Sequence, residues 1–154
     1  MNKITPFLWF DDKAEEAMKF YMSVFKQSRK IDVKRKGKKV VATTFWLNGQ
    51  EFIALNGGPH FKFTPAISFF VRCKDQQEID YYWEALSKGG KKGQCGWLTD
   101  KYGLSWQIVP DALEDLLWNK ETSKKDRIWD ALMKMTKISI QGLEAAAARP
   151  GAKW

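Results

Sequence analysis

One histidine, two cysteines and no apolar run long enough to cross a bilayer are the scarcities that first bound this 154-residue chain. A single histidine, His60, excludes a centre built from several imidazoles. Cys73 and Cys95 lie far apart and neither belongs to a C-x-x-C pair, so the spacing of a zinc site is absent. The longest apolar run, around Ala66–Val71, is far short of the roughly 20 residues of a membrane span. No charged head with an apolar stretch stands at the N-terminus, so no signal peptide is expected; the expected setting is the reducing cytoplasm, with no membrane partner.

What the chain has in quantity is apolar and aromatic material: 44% hydrophobic and 14% aromatic residues, with eight Trp and ten Phe. That suffices for a core or an aromatic-lined cavity and excludes general disorder; fraying is expected only at the end, over Arg149–Trp154. The length suits one compact domain, since domains commonly run about 100–150 residues. The net charge of +8 favours acidic partners. Its clearest cluster, Lys34, Arg35, Lys36, Lys38 and Lys39 around Gly37, reads first as a solvated hairpin turn and only second as a nucleic-acid contact.

Periodicity sets the organisation. Ile4–Phe10 is a buried strand, Asp11-Asp12 offers a helix cap, and Lys13–Phe25 carries apolar residues at helical spacing. Arg29–Lys36 and Lys39–Leu47 follow as strands, Asn48-Gly49 as a two-residue hairpin turn, and Glu51–Asn56 as the fourth strand. After Gly57-Gly58-Pro59 the pattern returns: strand Pro65–Cys73, cap Asp75, helix Glu78–Leu86, a stop at Gly89-Gly90, short strands near Lys92–Cys95 and Trp97–Thr99, and a clear strand at Leu104–Val109. Asp111–Trp118 predicts a short helix, and Ser123 or Lys124 opens a longer one to about Ala147. The expectation is an α+β chain of two β-α-β-β-β modules, 4–56 and 64–109, within a domain 1–110, followed by a helical extension 111–154. The apolar residues Ile128, Leu132, Met135 and Ile138 on that extension need a cover, either the same domain or a second subunit, and a homodimer is expected.

Three segments are specific: I-T-P-F-L-W-F-D-D-K-A-E-E-A-M-K-F-Y from Ile4, L-N-G-G-P-H-F-K-F-T-P-A-I-S-F-F-V from Leu55, and G-Q-C-G-W-L-T-D-K-Y-G-L-S-W-Q-I-V-P from Gly93. Together they resemble the PhnB-like branch of the vicinal oxygen chelate (glyoxalase/bleomycin-resistance) superfamily, whose members often carry the label 3-demethylubiquinone 3-methyltransferase. The resemblance implies two modules curled into a half-open barrel. In the superfamily's enzymes it also implies a divalent metal held by four inward strand positions, usually His and Glu. Those positions fall here at or beside Pro6, and at Ala54, Ala66 and Gln107, with the D-x-x-G turn from Asp100 to Gly103 setting the last register. None of these residues or their neighbours is a good ligand for a catalytic divalent ion, so no metal and no cofactor is expected. The methyltransferase label lacks its own signal as well, because Gly57-Gly58 precedes Pro-His and a strand rather than a helix.

The candidate ligand-binding residues are Trp9, Asn56, His60, Gln94, Trp106 and Gln107. His60 suits a general base near neutral pH or a plain loop position, and Gln107 can orient a polar ligand with its neutral amide. Trp9, Trp46 and Trp106 can stack on a flat ligand or simply pack; Asn56 is a hydrogen-bonding residue at the cleft or a turn former. Cys95 is a nucleophile if its thiol is activated and otherwise a small buried residue; Cys73 is core. The leading function is a metal-free small-molecule-binding protein with its ligand in the cleft between modules. The alternative is an enzyme of the same superfamily using non-metal chemistry at His60, Cys95 or Gln107. A nucleic-acid module ranks last, for want of aromatic-interleaved basic strands.

Overall fold

The structure, a computed structural model, describes residues 2–118 and 122–149. The chain divides into two compact units, Met1–Phe63 and Thr64–Trp154. Both are α+β, and each is built on one mixed four-stranded sheet.

The first unit runs β1 (Phe7–Phe10), α1 (Ala14–Val24), β2 (Ser28–Lys36), β3 (Lys39–Leu47) and β4 (Gln50–Asn56), with sheet order β1-β4-β3-β2. β1 is parallel to β4; the other pairs are antiparallel. Asn48 (φ 46°) and Gly49 (φ 84°) make the left-handed two-residue turn whose twist matches that of paired strands. Helix α1 buries Ala14, Ala17, Met18, Tyr21 and Val24. Tyr21 stacks on Phe45 at 6.5 Å between ring centroids, and Phe45 on Phe52 at 5.7 Å. By strand alternation Thr43, Phe45, Leu47, Phe52, Ala54, Leu8 and Phe10 therefore all face the helix, and all are buried. Truncating Phe45 to Ala would cost about 3–5 kcal/mol.

Two local expectations are corrected here. β1 begins at Phe7 rather than Ile4, because Pro6 has no N–H to donate; it only accepts, from the Ile53 N–H at 3.0 Å. Asp11 and Asp12 do not cap α1. Lys13 occupies the cap position without a side-chain bond, and Asn56 Oδ1 accepts from the Ala14 N–H at 2.8 Å instead.

The second unit repeats the plan: β5 (Ser68–Cys73), α2 (Gln76–Ser87), β6 (Lys91–Lys92), β7 (Trp97–Thr99) and β8 (Ser105–Pro110), in the order β5-β8-β7-β6. Asp75 caps α2 through Oδ1 to the Glu78 N–H, while Glu78 Oε2 takes the Lys74 N–H. The repeat is legible bond by bond, for Gly57 N–H donates to Phe10 O at 2.8 Å and Asp111 N–H to Cys73 O at 2.8 Å. Two strands are shorter than expected. β5 starts at Ser68, since Pro65–Ala66 turn, and Gln94–Cys95 lie in a turn where Cys95 (φ 57°) and Gly96 (φ 82°) are left-handed.

The C-terminal extension forms α3 (Ala112–Trp118), α4 (Thr122–Met133) and α5 (Ile140–Ala148), so the long helix expected to reach Ala147 is two helices. The break is built in. Ser139 Oγ accepts from the Gly142 N–H to cap α5, and Met135 O and Thr136 O accept from the N–H groups of Cys95 and Gly96. Ile128, Leu132, Ile138 and Leu143 bury against Val109 and Leu113. The apolar stripe is thus covered by its own unit, without a second subunit. The expectation for Arg149–Trp154 lies almost wholly outside the described residues.

Candidate functional site

Helix α1 covers one face of the first sheet. The opposite face carries no helix of this unit. It carries Phe7 and Trp9 from β1, Glu51, Ile53 and Leu55 from β4, and Ala42, Thr44 and Trp46 from β3, as the register and strand alternation require. Phe7 is 57% exposed, and the rest of this set is half-buried. Half-buried apolar side chains on an open sheet face are unusual among solvated strands, where that face is polar.

At one end of the face sits a carboxylate. Glu51 Oε2 accepts from Thr5 Oγ1 at 2.9 Å and Oε1 from the Trp46 indole N–H at 3.4 Å. Both donors are neutral, and Glu51 makes no ion pair among the described residues. The Arg29 guanidinium lies 4.9 Å from the Trp46 ring centroid, so the indole is held between a strand neighbour and a cation. At the other end the Trp9 indole N–H donates to Gly58 O at 2.9 Å, and its ring meets Phe61 edge-on at 4.9 Å. Gly57 is required there, because a Cβ would stand 2.3 Å from the Trp9 ring.

The expected site residues separate. Trp9 belongs to the open face. Asn56 does not: it lies on the helix side, where Oδ1 caps α1 and Nδ2 donates to Val40 O at 3.2 Å. His60 is exposed in the loop after Gly58. Trp106 is buried to 2% in the core of the second unit, where its N–H donates to Asp100 Oδ2 at 2.9 Å. Gln107, its neighbour in β8, points to the opposite face, and Nε2 donates to Ser68 Oγ at 2.9 Å. Adjacent residues of one strand cannot share a face, so Trp106 and Gln107 cannot line one surface. Gln94 is exposed in its turn, while Cys95 packs against the C-terminal cluster. Glu51, Thr5 and Arg29 were missed. The signal was the alternation Glu51-x-Ile53-x-Leu55, read one residue out of phase when the inward position was placed at Ala54.

The same shift bears on a metal. Phe7 pairs with Ile53 and Phe70 with Gln107, so Ile53, not Ala54, is the repeat's counterpart of Gln107. Ala66 lies in a turn. Among the described residues no group of three or more His, Cys, Asp or Glu is placed to hold a metal ion. The donors left at these positions are the Gln107 amide and the Thr5 hydroxyl, both engaged within their own units. That set does not fit a catalytic divalent ion.

Comparison with known proteins agrees with this architecture. The family model for 3-demethylubiquinone-9 3-methyltransferase matches residues 2–109. A PhnB protein from Bacillus cereus is 40% identical, with a TM-score of 0.67, covering 71% of this chain and 99% of that one. Protein PA1353 from Pseudomonas aeruginosa (16% identical, TM-score 0.61, 71% and 98% covered) shares the fold. So does the fosfomycin resistance protein FosX from Listeria monocytogenes (15% identical, TM-score 0.57, 77% and 98% covered). No curated protein matches the sequence. With its two repeated modules and these likenesses, the chain belongs to the 3-demethylubiquinone-9 3-methyltransferase family, the PhnB-like branch of the vicinal oxygen chelate superfamily.

Proposed function

We propose that the protein binds a small aromatic or amphipathic molecule on the helix-free face of its first sheet, without a metal. One observation carries this reading: Glu51, a half-buried carboxylate with neutral donors only, at the end of an apolar shelf bearing Trp46, Ile53, Leu55, Phe7 and Trp9. Apolar walls supply affinity, and a single placed polar group supplies orientation. The ligand group that meets Glu51 is a hydrogen-bond donor or a cation. Methyl transfer, which the family description names, gains no support from the glycines: Gly57 seats Trp9, and Gly58 lends it an acceptor.

The test is a thermal-shift screen of small aromatic and amphipathic compounds, with hits followed by tryptophan fluorescence. A hit weakened by both Trp46→Leu and Glu51→Gln supports the site. Hits indifferent to both changes, or no hit at all, overturn it.

The same reading includes a homodimer in the cytoplasm. Phe7, Ile67 and Phe70 remain exposed apolar surface, both cysteines are unpaired, and no helix among the described residues is long and apolar enough to cross a membrane. Light scattering that gives a monomer at micromolar concentration removes the dimer.

A further inference from the structure

The surplus positive charge of the chain sits on one hairpin. Residues 26–39 hold eight Lys or Arg and one Asp, seven of the net eight charges. In the structure this segment is β2, the edge strand of the first sheet, with its turn at Gly37-Lys38. Arg29, Lys30, Lys34, Arg35, Lys36, Lys38 and Lys39 are all exposed. Arg35 is engaged with Glu15 at 3.2 Å, and Asp11, Asp12 and Glu15 line a cavity of about 640 Å³ with Lys36 and Lys39. None of Lys30, Lys34, Lys36, Lys38 and Lys39 makes an ion pair among the described residues.

The hairpin also projects. β3 pairs with β4 only over Ala42–Leu47, so Lys39–Val41 and the β2 residues opposite them extend as a two-stranded ribbon. We infer that this ribbon is a docking surface for the phosphate backbone of duplex nucleic acid, read without sequence preference. The projecting part, Arg35–Lys36 opposite Lys39–Val40 with the turn at Gly37-Lys38, is a two-stranded ribbon narrow enough for the major groove, and the exposed Arg29, Lys30 and Lys34 continue the positive charge along the edge strand behind it. An acidic polypeptide added as a further strand fits less well. Bulges at Lys30/Asp32 and Lys34/Arg35 break the edge register, a device that discourages strand addition. Single strands fit less well too, since residues 28–39 of the hairpin hold no aromatic side chain on which bases could stack. The sequence alone ranks nucleic acid last; the projecting edge-strand geometry is what raises it.

The experiment is fluorescence anisotropy of the full chain with a labelled 20-base-pair duplex across 50–200 mM salt. About five phosphate contacts predict a log–log salt slope near −4.5, an affinity loss of about 500-fold over that range. K34Q/K36Q/K38Q should flatten the slope by about 2.7, in proportion to three lost contacts. K74Q/K88Q/K91Q, with the same change of net charge in the second unit, should bind like the parent. No binding at 50 mM salt, equal loss in both triple variants, or equally tight binding of polyglutamate would each overturn the inference. The last would assign the ribbon to an acidic protein instead. Circular dichroism melts confirm that each variant is folded, and the small-molecule screen reads the Glu51 face separately, so the two proposals fail independently.

Discussion

Replacing Asn56 by Ala separates a ligand-contacting role from the structural role its contacts show. Asn56 Oδ1 accepts the Ala14 N–H at 2.8 Å, one of the four donors at the start of α1 that have no partner within the helix. Its Nδ2 donates to Val40 O at 3.2 Å, tying the end of β4 to β3 where the ladder between them has stopped. Losing a cap costs about 1 kcal/mol, and losing a partly buried neutral hydrogen bond about 0.5–1.5 kcal/mol. Asn56→Ala should therefore destabilise the protein by about 2 kcal/mol. With a urea slope of about 2 kcal/mol per molar, the unfolding midpoint should fall by about 1 M at unchanged slope. Asn56→Asp keeps the cap acceptor, adds a negative charge at the helix N-terminus and loses only the donor to Val40. Its midpoint should lie between those of the parent and Asn56→Ala. Urea denaturation followed by far-ultraviolet circular dichroism measures both. A midpoint shift under about 0.2 M for Asn56→Ala would show that the side chain is not a structural tie. Equal damage from Asp and Ala would refute the cap specifically.

Four further outcomes follow from the same contacts. Burial pushes the Cys73 thiol up to about 12, with Glu78 and Asp111 adding to it, so at pH 8 a Cys95→Ser variant should show no thiol reactive to a disulfide reagent until it is unfolded. Lys19 and Arg35 hold the Glu15 carboxyl below its ordinary value. A depressed carboxylate stabilises the fold above the unfolded-state value and loses that contribution as pH falls through the folded-state one. Glu15→Gln should therefore cost up to about 0.5 kcal/mol at pH 7, with the gap to the parent closing below about pH 4, as paired denaturation curves will show. Gly96→Ala places a Cβ 2.7 Å from Ile108 O and 2.8 Å from Ile138 Cδ1 at a left-handed residue, and should lower the midpoint more than Gly103→Ala, where the added Cβ meets nothing within 4 Å. Dialysis against zinc, nickel or manganese followed by metal analysis should return no stoichiometric ion, and a retained equivalent would contradict the donor inventory.

The sequence by itself determined the elements of the two modules to within a few residues, and their repetition. Alternation in Lys39–Leu47, the 3.6-residue spacing of Ala14, Ala17, Met18 and Tyr21, the Asn48-Gly49 turn and the Asp75 cap are local signals, and local physics suffices to read them. It also determined what the inward positions lack, since no register of Pro6, Ala54, Ala66 and Gln107 supplies a metal's donors. Tertiary structure alone decided which side of each strand faces the helix. A period of two gives two equivalent phases, and only the stacking of Tyr21 on Phe45, and of Phe45 on Phe52, shows that Ala54 lies beneath α1 while Glu51 and Ile53 lie on the opposite face. It decided that Asn56, 42 residues from Ala14, caps that helix, because capping across a sheet leaves no mark in the residues beside the helix. It decided the fate of the C-terminal stripe as well. Spacing says that Ile128, Leu132 and Ile138 need a cover, but the cover is Val109 and Leu113 of the same unit, held in place by backbone bonds from Cys95 and Gly96 that no pattern of side chains encodes.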